Sequence, residues 1–160
     1  MMVHIPLLGA RVESLWSLWD EEYDEWFNDA PIVICTKDQQ LEFCANKLNE
    51  FSFSLNTIDL STPVFWCGEA EPDMQPLRWV EQRNPEYEGL IGKPITAVET
   101  VESYLEEQVE AFTGLPTFIL SGIALHFQDE CLEILNGLDC NTLRRNKRGE
   151  AGLKYTRLLV

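Results

Sequence analysis

Four carboxylates recur in pairs at one spacing: Asp38 with Glu42, and Asp129 with Glu133, the second pair 91 residues after the first. An aspartate in a turn with a glutamate on the following strand is a geometry from which two facing pairs would hold a divalent cation or share acid–base work. Asp38, Glu42, Asp129 and Glu133 are therefore the candidate metal set. The plainer reading is that Asp is favoured in turns for its local backbone bonds, and that a Glu between apolar Leu41 and Phe43 alternates toward solvent. A second stretch places Trp16, Trp19, Tyr23, Trp26 and Phe27 among Asp20, Glu21, Asp24 and Glu25. Rings beside carboxylates suit a basic protein partner, the rings supplying affinity and the charges steering. Trp16, Trp19, Asp20, Glu21, Asp24, Glu25 and Trp26, with Trp66 and Trp79 from further along, form the candidate partner-binding set. The competing reading buries these rings as core.

Other chemistry is absent from the pattern. No G-x-S-x-G or phosphate-cradling glycine loop occurs, the five cysteines lack C-x-x-C spacing, and the two histidines have no neighbour at ligand distance in sequence. No catalytic residue or cofactor is expected, and a non-enzymatic protein is favoured over a carboxylate-dependent enzyme. With 27 acids against 12 bases the net charge is −15, a balance that excludes nucleic acid and anionic membranes as partners, since phosphate binding needs clustered Lys and Arg. Residues 12–36 and 94–143 contain no Lys or Arg, whereas Arg144, Arg145, Lys147, Arg148, Lys154 and Arg157 crowd the last stretch. That basic end is expected to fold back over the chain's own acids, the alternative being a separate anion site. No apolar run reaches the length of a membrane span and the start has no leader-like pattern, so a cytoplasmic protein with reduced thiols is expected.

The elements that must position these residues repeat. Leu7-Leu8-Gly9, Val12 and Leu15 match Leu90-Ile91-Gly92, Ile95 and Val98, and the run from Asp38 to Asn46 matches that from Asp129 to Asn136 with one residue fewer. Duplication predicts one domain, residues 1–160, of two similar halves, 7–58 and 90–160, joined by an irregular segment, 59–89, rich in Pro and aromatic residues. Such a chain needs no second copy, which favours a monomer over a homodimer. Spacing of three and four from Val12 to Phe27, and from Val98 to Phe112, predicts two acidic amphipathic helices. Hairpins turning at Asp38 and Asp129 supply the sheet, with Phe51, Phe53 and Leu55 alternating as a further strand. The expected fold is α+β, an antiparallel sheet packed with two acidic helices; the alternative is a mainly-β duplicated barrel or sandwich. The expected function is a small acidic protein-interaction module, an inhibitor or immunity-type antagonist of a basic protein. Its alternative is a small-molecule or metal-responsive binding domain with a pocket between the halves.

Overall fold

The computed structural model describes residues 7–47, 50–65, 75–105, 117–147 and 152–158. Among them there is no α-helix: the chain forms β1 (Ser14–Asp20), β2 (Glu25–Trp26), β3 (Ile32–Cys35), β4 (Gln40–Asn46), β5 (Glu50–Leu55), β6 (Arg78–Glu81), a 3-10 turn (Pro85–Tyr87), β7 (Ala97–Leu105), β8 (Thr117–Phe127), β9 (Glu130–Asn136), β10 (Asn141–Arg145) and β11 (Leu153–Arg157). The α+β expectation is thereby corrected to a mainly-β fold of two antiparallel sheets, and both acidic helices are strands. Spacing misleads at β1 because this strand is covered on both faces. Leu15 joins the central core while Leu18, three residues on, joins a separate outer cluster with Ala30 and Leu77. A doubly buried strand gives apolar positions at any step, and its tryptophans prefer extended backbone. The acids that would line a helix face instead make the turn after β1, where the Asp20 carboxylate accepts the Glu22 and Tyr23 N–H groups and Asp24 takes a positive φ of 54°. β7 is a strand between β8 and β11; residues 106–112 of its expected helix lie outside the described residues.

The two sheets share one order. In the first, β1 carries β3 and then β2 along one edge and β6 along the other: Trp16 faces Val33 and Glu81 at once, and Trp19 faces Trp26 and Arg78. The sheet thus runs β6-β1-β3-β4-β5, and the second runs β11-β7-β8-β9-β10. In each, four strands meander and a fifth returns beside the first. β6 arises within the 59–89 segment, so the first sheet draws on that segment as its fifth strand. Individual bonds correspond as well. Gly9 N–H donates to Ile95 O and Gly92 N–H to Val12 O, both at 2.8 Å, reciprocal bonds between positions 83 apart. Both glycines have φ near 80°, which makes the two turns accessible without strain. At the far edges Asn56 closes β4 as Asn146 closes β9: each donates its N–H to, and accepts at Oδ1 from, a residue near the start of its neighbour, Gln40 or Cys131.

Between the sheets lies one core. Leu15, Ile32, Ile34, Leu41 and Phe43 meet Val98, Leu125, Phe127, Leu132 and Ile134, with Tyr87 and Leu90 from the linking chain. Each such side chain, fully withdrawn from water, contributes roughly 1.5–3 kcal/mol. Because side chains alternate, Glu42 and Glu133 point to the opposite, outer faces of the two sheets. The basic end does fold onto acids of its own chain. Arg144 Nε lies 3.0 Å from Glu133, Arg145 pairs with Glu130 at 2.5 Å, and Lys154 with Glu102 at 3.2 Å.

Candidate functional site

The four carboxylates of the candidate metal set are not brought together. Asp38 and Asp129 are exposed in the β3–β4 and β8–β9 turns, while Glu42 and Glu133 lie under opposite outer faces, and among the described residues no three metal-ligating side chains cluster. Each glutamate is already committed. Glu42 accepts from Gln40, Ser54, Thr57 and the Ile58 N–H; Glu133 accepts from the Tyr155 hydroxyl at 2.7 Å beside Arg144. Burial opposes the Glu42 charge, but the converging donors outweigh it and hold the carboxyl at about 2.

The tryptophans serve the first sheet. Trp16 donates to the Ser14 hydroxyl at 2.8 Å and Trp19, buried, to Ser17 at 3.0 Å, with the Arg83 guanidinium 4.4 Å above its ring. Trp26 packs against the central core, Trp79 against Leu18, and Trp66 lies outside the described residues. The carboxylates of that set remain at the surface around the β1–β2 turn, where Glu21 meets Arg78 at 3.4 Å, Asp24 meets Arg83 and Glu25 is exposed. The ring at the tip of this turn is Tyr23, 68% exposed.

A cleft of about 220 Å³ lies between the sheets, walled by β4 and β5 on one side and β7 and β8 on the other, in the region between the halves where the alternative expectation put a pocket; the pattern of the sequence did not single out its lining. Phe43, Phe51 and Phe53 come from the first sheet, with Phe43 and Phe53 directly paired and their ring centroids 5.3 Å apart. Val98, Thr100, Leu120 and Ile123 come from the second, and Leu7 and Leu158 close the ends. Thr100 stands in an otherwise apolar lining, its hydroxyl donating to Thr156 O at 3.4 Å. Phe53 and Leu120 stand at the mouth, 42% and 44% exposed.

Local backbone explains why Leu120 is there. Along β7 and β8 the pairs run Thr100 to Ile123 and Val101 to Gly122, but Glu102 then faces Leu120, so Ser121 has no partner opposite. This bulge reverses the alternation and turns Leu120 onto the face of Ile123, whereas an unbroken strand would send it outward. Gly122 fits the bend for a further reason. A Cβ there would come within 2.3 Å of Ile134 O, so no other residue can sit so close to β9. The Ser121-Gly122 break between two apolar runs was the available signal.

No family model matches the chain, and neither a curated protein nor a solved structure does, so the geometry of the cleft is what a function has to be read from.

Proposed function

We propose that the chain is a non-enzymatic binding module that takes a small apolar ligand in the cleft between its two sheets. The observation that carries this is the bulge at Ser121, which brings Leu120 to a ready-made opening opposite Phe51 and Phe53. Exposed apolar surface is costly to keep unless something covers it. A volume of about 220 Å³ exceeds the ~150 Å³ that suffices for a benzene ring in an engineered core. The free thiols of Cys35, Cys44 and Cys140 support a reducing, cytoplasmic setting. Among the described residues no helix is long and apolar enough to cross a membrane.

Toluene is a suitable probe. At ten times its dissociation constant a ligand bound only to the native chain adds about 1.4 kcal/mol, a rise in melting temperature of roughly 3–6 °C. Leu120→Trp fills the mouth from an exposed position, so the variant is expected to fold and to lose this rise. Methyl shifts confined to Val98, Leu120, Ile123 and Leu158 would locate the binding; a toluene response unchanged in Leu120→Trp would remove the proposal.

A second reading, an interaction module for a basic partner, draws support from Tyr23. Its ring is exposed at the tip of the β1–β2 turn, beside Glu22 and Asp24. In this reading affinity for the partner falls about tenfold or more in Tyr23→Ala, and association slows as salt is raised. Capture unaffected by either change would argue against it.

A further inference from the structure

The molecule holds an internal template for what the cleft accepts. The correspondence that relates Gly9 to Gly92 also relates Leu15 to Val98 and Ser17 to Thr100. Hairpin register likewise carries Phe43 onto Ile134 and Phe53 onto Leu143. In the twin position of the cleft, beneath β10 and beside β1, the space is filled by the ring of Tyr87, fully buried at 0% exposure. The 3-10 turn that delivers this ring is tied to β10 by Arg145, which donates to Glu86 O at 2.8 Å and Glu88 O at 3.0 Å. The Tyr87 hydroxyl lies 3.4 Å from Trp16 O and also bonds Ser17, the counterpart of Thr100. Burial raises the Tyr87 phenol well above its ordinary value, so this ring is held as a neutral hydroxyl.

On the cleft side β5 stands where β10 stands, and Phe51 and Phe53 take the positions against which a ring would lie. Thr100 lines the cavity, and its own bond, to Thr156 O, is long at 3.4 Å. Resting on the reading of the cleft as a ligand site, we infer that its ligand is a neutral hydroxylated aromatic ring, a small phenol. The ring takes the place Tyr87 holds in the twin site and its hydroxyl meets Thr100. An apolar ring without the hydroxyl gains the same walls but leaves this polar contact unmade.

The test titrates the full chain with p-cresol and with toluene, following affinity by methyl shifts and by melting temperature. The expected result is that p-cresol binds about five- to tenfold more tightly than toluene, the worth of one hydrogen bond to a neutral hydroxyl. Thr100→Val, close in shape, is expected to weaken p-cresol by the same factor and leave toluene unchanged. Thr100→Ser, which keeps the hydroxyl, retains the preference for p-cresol. Equal binding of both probes, indifferent to Thr100→Val, would overturn the phenol inference while leaving the apolar cleft standing. Failure of both probes to bind the folded chain would overturn the ligand-site reading itself.

Discussion

Replacing Glu42 by alanine is expected to destabilise the chain by about 3 kcal/mol, because two part-buried backbone N–H groups would lose their charged acceptor. Those groups are Thr57 N–H, 2.7 Å from Oε1, and Ile58 N–H, 2.9 Å from it; Gln40 Nε2 adds a third bond at 2.8 Å. The hydroxyls of Ser54 and Thr57 complete the cage around a side chain in a residue only 1% exposed. These donors, prevailing over the burial that opposes them, lower the carboxyl from 4.5 to about 2. A carboxyl lowered in the folded chain favours folding above its unfolded value. The resulting contribution, roughly 3 kcal/mol at neutral pH, is complete above about pH 5 and disappears as pH falls toward 2. Glu42→Gln keeps the shape but sets an amide NH₂ among donors, so it too destabilises, and it no longer titrates. Urea unfolding should therefore show a gap between the parent chain and Glu42→Gln that is widest at pH 7 and narrows steadily by pH 3. A gap independent of pH would refute this account of the cage.

Glu42 also shows where a linear pattern stops informing. Alternation between Leu41 and Phe43 gave its direction, outward from the core, and the register of β4 agrees. What alternation cannot give is the medium on that side, because Thr57 and Ile58 return over the face only after a further strand has formed. Turn chemistry was more legible. Asp38 and Asp129 lie in hairpin turns, as short polar side chains that bond their own backbone favour. The helix reading of the β1 region failed for a tertiary reason, the cover that Val64, Leu77 and Trp79 place over Leu18. Nothing local marks a strand as buried on both faces. A pocket between the halves was within the alternative expectation, but its lining was hidden more deeply still, since it depends on one residue skipped in the β7–β8 register, Ser121. Ring-and-acid spacing suits either a hot spot or buried rings, and spacing alone does not show that Trp16 and Trp19 spend their N–H groups on serines of their own strand.

Asn141 adds a buried polar joint between the halves, and its loss should be as costly as that of Glu42. Its Oδ1 accepts the Ala45 N–H at 2.8 Å, and its Nδ2 donates to Ala30 O at 2.7 Å and Asn28 O at 3.0 Å. Its own N–H bonds Asn28 O at 2.8 Å, and the residue is 1% exposed. One side chain thus satisfies groups of the first sheet from the first position of β10. Asn141→Leu preserves volume but leaves the Ala45 N–H and the Ala30 carbonyl unsatisfied, an expected loss of about 3–4 kcal/mol. Asn141→Asp separates this from a packing effect. Ionised, the aspartate still accepts from Ala45 but faces two carbonyl oxygens, so it is held above its ordinary carboxylate range; protonated, it recovers one donor. Its stability relative to the parent chain should accordingly improve as pH falls from 7 toward 4, here because the variant's own carboxyl takes up a proton, whereas the Glu42→Gln gap narrows because the parent loses its carboxylate. Denaturant midpoints for the two aspartate states decide the matter: if Asn141→Leu costs under about 1 kcal/mol, or if Asn141→Asp shows no relief in acid, this network adds little to the shared core and the backbone bonds that also join the halves.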